Sequence, residues 1–105
     1  MEKDILLLEK QIYDVLKTIY DPEIPVNIYD LGLIYEVDVD DYNNVDILMT
    51  LTAPNCPLAE GIVREVRDKV SEIEGTAKVQ VDLTFNPPWD KSMMTEQAKL
   101  ELGFL

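Results

Sequence analysis

The first segment of the chain has apolar residues at every third or fourth position, with polar residues on the other side. This spacing is typical of an amphipathic helix. The apolar positions are Ile5, Leu8, Ile12, Val15, Leu16 and Ile19. We expect the helix to end near Tyr20, because Pro22 and Pro25 disfavour helical geometry in the residues that precede them.

A second helix with the same spacing is expected after Pro54. Its apolar positions are Leu58, Ile62, Val66, Val70 and Ile73. Pro57 suits the first helical position, which makes Cys56 the expected N-cap. Gly75 is expected to close the helix, because glycine readily adopts left-handed geometry.

Elsewhere the apolar period changes to two, which predicts strands over residues 33–39, 45–51 and 77–85. In the first strand we expect Leu33, Tyr35, Val37 and Val39 on one side, and Ile34, Glu36 and Asp38 on the other. The polar segment 40–44 has the composition of a hairpin turn, and Pro87 and Pro88 stop the third strand. A short final helix, capped by Thr95 and ended by Gly103, completes the pattern.

The order helix, strand, strand, helix, strand, helix predicts one α+β domain over residues 1–105, with helices packed on one face of a small three-stranded sheet. A hairpin places the start of its first strand beside the end of its second, so residues 30–32 should lie next to residues 52–56. The third strand should run parallel to the second and bring residues 86–89 to the same edge. We call this edge the rim; it consists of these three loops.

The charge and the cysteine content of the chain exclude several classes of function. The 105 residues include 9 basic and 21 acidic residues, and the net charge is -12. Such a surface repels nucleic acids and anionic membranes. The single cysteine excludes an intrachain disulfide and, without an apolar span or signal pattern, indicates the reducing cytoplasm.

The chemistry of the rim depends on Cys56. As an N-cap its sulfur would face free amide hydrogens and the positive end of a helix, which favour the thiolate. The alternative, a small buried apolar residue, is about equally common for a free cysteine. Carboxylates of Asp21, Glu23 or Asp30 nearby would disfavour the thiolate, unless a cation such as iron or zinc lies between them. A closed site with four Cys or His ligands is excluded, because the chain has one Cys and no His.

No catalytic constellation accompanies this cysteine. Without histidine the usual base of a cysteine hydrolase is missing, and the four isolated glycines form no phosphate-binding loop. Thr50 and Thr52 alternate along the second strand; Thr52 could donate to a ligand at the rim, although strand propensity explains both. Trp89 is either a lid or partner anchor, or a residue packed on the helices.

Four stretches together resemble the iron-sulfur cluster assembly domain family, which includes the SufT-like and PaaD-like factors. They are Asp21–Val26, Asp30–Tyr35, Thr50–Pro57 and Phe85–Trp89. The resemblance implies a non-enzymatic role in maturing iron-sulfur proteins, with a cluster donor and client proteins as partners. It also implies transient iron or an iron-sulfur cluster, none of it tightly bound. The family's reactive cysteine corresponds to Cys56, its acidic positions to Asp21, Glu23 and Asp30, and its aromatic residue to Trp89.

Two functional hypotheses follow. In the first, Cys56 transiently ligates iron or a cluster, or forms a sulfur adduct; in the second, the protein is an adaptor that recognises clients without ligating metal. A thiol-dependent enzyme is a weaker third reading. The cysteine-rich tail of PaaD-like factors is missing, so a stand-alone SufT-like factor fits better. The sequence does not decide between a monomer and a homodimer, although every apolar stripe is already assigned to the core and none remains to form a dimer interface.

Overall fold

The computed structural model describes residues 5–21, 24–52 and 59–103. In chain order the elements are α1 (Ile5–Leu16), β1 (Ile34–Val39), β2 (Val45–Met49), α2 (Ala59–Ser71), β3 (Val79–Leu83), a 3-10 helix (Lys91–Met93) and α3 (Glu96–Glu101). The predicted α+β class and the order of its helices and strands are confirmed. The sequence did not predict the 3-10 helix. Within this described part, no helix is long and apolar enough to cross a membrane.

The three strands form one sheet with β2 in the centre. β1 and β2 are antiparallel, and Val37 lies opposite Ile47. β3 runs parallel to β2 and pairs Val81 with Ile47, as the crossover through a helix predicts. α2 packs against β3, and α1 packs against α2 and β1.

The core lies between the helices and the central strand. Its fully or almost fully buried side chains include Leu8, Ile12 and Leu16 of α1, Val45, Ile47 and Met49 of β2, and Ile62, Val66 and Val70 of α2. These positions agree with the predicted helical and strand periods. Burying one such side chain stabilises the fold by roughly 1.5–3 kcal/mol relative to leaving it in water.

α1 ends at Leu16, four residues before the predicted end near Tyr20. The helix ends there because the backbone groups after Leu16 form hydrogen bonds outside the α-helical pattern. The amide of Thr18 donates to the carbonyl oxygen of Val15 at 2.9 Å, in a tighter turn than the α-helical one. Tyr20 then pairs with Asn27 in an isolated antiparallel bridge.

β1 contains a bulge that the alternating pattern did not predict. The register against β2 shifts between Ile34 and Glu36, which leaves Tyr35 as an extra residue. As a result Ile34 packs against the core. The hydroxyl of Tyr35 donates to the carbonyl oxygen of Pro87 at 2.8 Å. The predicted sides of Ile34 and Tyr35 were therefore wrong.

Other boundaries differ by a few residues. α2 ends at Ser71, and Gly75 follows four residues later with a φ of 100°. β3 covers five residues rather than the predicted nine, because it pairs only with the five residues of β2. The N-cap of α3 is confirmed: the side chain of Thr95 accepts from the amide of Ala98 at 3.2 Å.

Candidate functional site at the rim

The loop before β1 and the loop after β3 meet at the rim. The indole Nε1 of Trp89 donates a hydrogen bond to the carbonyl oxygen of Leu31 at 2.7 Å. The end of β2 joins them, since the amide of Thr50 donates to the carbonyl oxygen of Leu33 at 2.8 Å. The predicted meeting of residues 30–32 with Trp89 is confirmed. The predicted contact of residues 30–32 with residues 52–56 stays a prediction, because residues 53–56 lie outside the described part of the chain. Cys56, the predicted N-cap of α2, and Pro57, its predicted first helical residue, lie outside the described residues.

Asp30 is held by a reciprocal pair of side-chain hydrogen bonds. Its carboxylate accepts from Nδ2 of Asn27 at 2.8 Å, and its amide donates to Oδ1 of Asn27 at 2.8 Å. Its carbonyl oxygen accepts from the amide of Thr95 at 2.9 Å. Asp30 therefore fixes the turn before β1 and ties it to the start of α3. Sequence reasoning missed Asn27, although an Asn three residues before an Asp is a typical turn signal.

Asp21 is a buried acidic residue in the loop after α1, with an exposed fraction of 7%. Its Oδ1 accepts from the amide of Ile24 at 3.1 Å, which shapes the loop locally. Its predicted neighbour Glu23 lies outside the described residues. Across residues 5–21, 24–52 and 59–103, no three acidic, Cys or His side chains are grouped so that they could hold a metal ion. Asp21 and Asp30 thus do not form a cation site with other described residues.

The 3-10 helix packs closely against the loop before β1. A Cβ added at Gly32, whose φ is 82°, would collide with the backbone carbonyl group of Met93. Asp90 caps this helix by accepting from the amide and the hydroxyl of Ser92 at 3.2 and 2.6 Å. Those hydrogen bonds, the side-chain one first, lower the pKa of Asp90 below its ordinary value. The sequence signal that was overlooked is an Asp two residues before a Ser.

The remaining predicted rim residues differ in burial. Thr52 is half-buried at the end of the described part of this loop, whereas Thr50 is fully buried. In the described part of the chain the hydroxyl of Thr50 has no hydrogen-bond partner. Trp89 is half-buried and packs against the core. Of the two predicted positions for this side chain, a lid or partner anchor and a packed residue, this position agrees with the packed residue.

Residues 9–83 match the model of a family described as iron-sulfur cluster assembly protein. The chain belongs to this iron-sulfur cluster assembly family. The resemblance drawn from the four stretches of sequence is therefore confirmed.

Relatives of this assembly-family chain are similar along most of its length. An Fe-S protein maturation auxiliary factor of Porphyromonas gingivalis is 56% identical over 105 residues, which cover all of both chains. The Fe-S protein maturation auxiliary factor SufT of Staphylococcus aureus is 39% identical over 81% of this chain and 97% of its own. The crystal structure of a DUF59 domain from Bacillus anthracis has a TM-score of 0.88 at 37% identity and covers 95% of each chain.

These comparisons bear on several predictions. The SufT name confirms the SufT-like resemblance. Both named relatives are auxiliary factors, in agreement with the prediction that this assembly-family chain is not an enzyme. The individual roles of Cys56, Asp21, Glu23, Asp30, Thr52 and Trp89 stay predictions.

Proposed function

We propose that the protein takes part in the maturation of iron-sulfur proteins, and that Cys56 transiently holds iron or an iron-sulfur cluster that is passed to a client. The main support is the hydrogen bond from Trp89 to Leu31, which joins two loops 58 residues apart beside the end of β2. Cys56 follows Thr52 by four residues, and four residues span at most about 14 Å. Chain length alone therefore keeps the Cα atom of Cys56, the proposed ligand of the iron, within about 14 Å of the Cα atom of Thr52.

The ligand count supports transfer rather than storage. A protein-bound cluster usually takes four ligands, mostly thiolates, and this chain has one Cys and no His. The missing ligands must come from a donor, a client or a second copy. An incomplete ligand set of this kind favours release to a protein that completes it. The partners are accordingly a cluster donor and client iron-sulfur proteins.

In this proposal the acidic positions Asp21, Glu23 and Asp30 have a supporting role beside a cationic cargo. Asp21 and Asp30 are fixed by hydrogen bonds from Ile24 and Asn27, so their loops are ordered by interactions within the protein. Negative charge near a thiolate disfavours it, and a bound cation offsets this effect. We place this role in the cytoplasm, where a single cysteine remains reduced.

Anaerobic incubation with ferrous iron and sulfide tests the proposal. We expect the wild-type protein to gain sulfur-to-iron charge-transfer absorption, and Cys56→Ser to lose it while its far-UV circular dichroism is unchanged. Alkylated wild-type protein is a matched control, because Cys56 is the only thiol in the sequence. Equal absorption from wild-type, Cys56→Ser and alkylated protein would show that Cys56 is not the ligand.

A second candidate function is an adaptor that recognises clients without binding metal. It is favoured by the hydrogen bond from Trp89 to Leu31, which holds two loops of the rim together without a metal ion. A maturation assay with an apo iron-sulfur enzyme separates the two. If the protein is a carrier, Cys56→Ser should fail to restore the activity of the apo enzyme. If the protein is an adaptor, Cys56→Ser should restore this activity fully and Trp89→Ala should restore less of it.

A further inference from the structure

A groove lies between α2 and the end of β3, outside the loops of the rim. Its volume is about 350 Å³, and the described residues that line it are Glu60, Val63, Arg64, Arg67 and Leu83. We propose that this groove binds an acidic segment of a partner protein that also carries an apolar side chain. The site needs neither Cys56 nor a metal.

The charge of the groove is opposite to that of the rest of the molecule. The chain has 21 acidic residues and two arginines, Arg64 and Arg67, and both arginines line this groove. They are three residues apart on α2, which places them on neighbouring positions of one helix face. Both are exposed.

Among the residues that the structure describes, none pairs with the guanidinium group of Arg64 or of Arg67. Within the described ranges neither Arg64 nor Arg67 forms an ion pair, whereas Lys69 of the same helix pairs with Glu65 at 3.0 Å. Glu60 lies one turn before Arg64, at a spacing that often gives an ion pair, but no such pair forms here. A guanidinium group presents a planar set of donors that matches a carboxylate in a bidentate manner.

The floor of the groove is apolar. Val63 is half-buried, and Leu83 has an exposed fraction of 39% although it continues the core-facing side of β3. An occupant that covers Leu83 removes apolar surface from water while its carboxylates meet the arginines. Glu60 disfavours a carboxylate at its own end of the groove, so the carboxylates of the segment should lie at the arginines. A small inorganic anion would use the arginines and leave the floor uncovered.

The position of the groove suits a partner of the rim. Leu83 pairs with Met49 at the end of β2, and the amide of Thr84 donates to the carbonyl oxygen of Met49 at 2.9 Å. A segment bound at Leu83 is therefore held next to the loops that meet there. Because acidic residues outnumber basic ones 21 to 9 in the chain, most of the remaining surface disfavours an acidic segment.

A fluorescein-labelled peptide of alternating glutamate and leucine tests the inference by anisotropy at low salt, where surface charges are least screened. We expect the wild-type protein to bind it, and the double variant R64Q/R67Q to bind it at least about tenfold more weakly. The variant K69Q/K78Q is the matched control, because it removes the same charge elsewhere; its affinity should fall much less. Leu83→Ser should weaken binding, and a peptide with glutamine for glutamate should not bind.

Four results would overturn the inference. An equal loss in R64Q/R67Q and K69Q/K78Q would reduce the effect to net charge. Equal binding of the glutamine peptide would remove the carboxylates from the recognition, and displacement of the peptide by equimolar inorganic phosphate would indicate a small-anion site. A wild-type dimer that R64Q/R67Q converts to a monomer would assign the groove to a second copy. Cys56→Ser is expected to bind as the wild type does, so failure here is distinguishable from failure of cluster binding.

Discussion

Trp89 donates its indole hydrogen to the carbonyl oxygen of Leu31 at 2.7 Å, and so joins the loop after β3 to the loop before β1. Leu31 is fully buried, and Trp89 packs against the core beside it. The carbonyl group can be buried there because the indole supplies a hydrogen bond in place of water. The two outer strands of the sheet are thus connected at the rim through a side chain as well as through β2.

Replacing Trp89 by phenylalanine tests this connection. Phenylalanine keeps the aromatic packing but leaves the carbonyl oxygen of Leu31 without its donor, so we expect a loss of about 1–3 kcal/mol in the free energy of unfolding. Trp89 is the only tryptophan, so urea unfolding should be followed by circular dichroism. Tyr42→Phe, at a side chain with an exposed fraction of 78%, is the control and should cost little. Equal stability of Trp89→Phe and wild type would contradict the role given to this hydrogen bond.

Gly32→Ala should destabilise the protein by at least about 2 kcal/mol, since an L-residue in left-handed geometry costs roughly 1–2 kcal/mol before any collision. The new Cβ would also lie 2.8 Å from the carbonyl carbon of Met93. Gly103→Ala is a matched control, because Gly103 has a φ of 80° and nothing within 4 Å of its added Cβ. Thermal unfolding of both variants separates collision from backbone strain. Similar melting temperatures would show that the contact with Met93 is unimportant.

Asp40 should make the hairpin turn sensitive to acid. The side chain and then the backbone of Asn44 donate to its carboxylate and lower the pKa of Asp40 below its ordinary value. A carboxyl group whose pKa is lower in the folded state stabilises the fold above its unfolded pKa, near 4, and loses this effect as the pH falls through its folded pKa. Asp40→Asn should therefore lower the urea midpoint at pH 7, and its difference from wild type should shrink toward pH 3.

Asp41→Asn is the control for this turn, because Asp41 is the exposed neighbour of Asp40 and loses the same charge. The difference between its urea midpoint and that of the wild type should be small and should change little between pH 7 and pH 3. A deficit of Asp40→Asn that stays constant over this pH range would show that the carboxylate acts through its shape and not through its charge.

The sequence predicted the features that depend on period and topology. The buried alternation of Val45, Ile47 and Met49 identified the strand that became the centre of the sheet, and the helical crossover required a parallel third strand. Those two facts were sufficient to bring Leu31 and Trp89 to one edge. The hydrogen bond that joins Trp89 to Leu31 at this edge was not predicted.

What the sequence missed depends on contacts that lie outside the regular helices and strands. The bulge at Tyr35 follows the hydroxyl's hydrogen bond to Pro87, 52 residues away, and a strict period of two cannot indicate it. Similarly, helical spacing continues to Ile19, but the chain leaves the helix at Leu16 to form the bridge at Tyr20. In both cases hydrogen bonds outside the regular element outweigh the periodic pattern.

Thr50→Val should stabilise the protein, because Thr50 is fully buried and its hydroxyl has no partner among the described residues. Valine has nearly the same shape, suits a strand end and removes the cost of burying an unpaired hydroxyl, so we expect a gain of about 1 kcal/mol in urea unfolding. Thr50→Ser keeps the hydroxyl and loses a methyl group, so it should lose about 1 kcal/mol instead. If Thr50→Val is less stable than wild type, the buried hydroxyl of Thr50 forms a stabilising hydrogen bond in the folded protein, and the prediction is wrong. If Thr50→Val instead lowers the charge-transfer absorption of the iron-loaded protein at unchanged stability, the hydroxyl acts on the bound sulfur or iron.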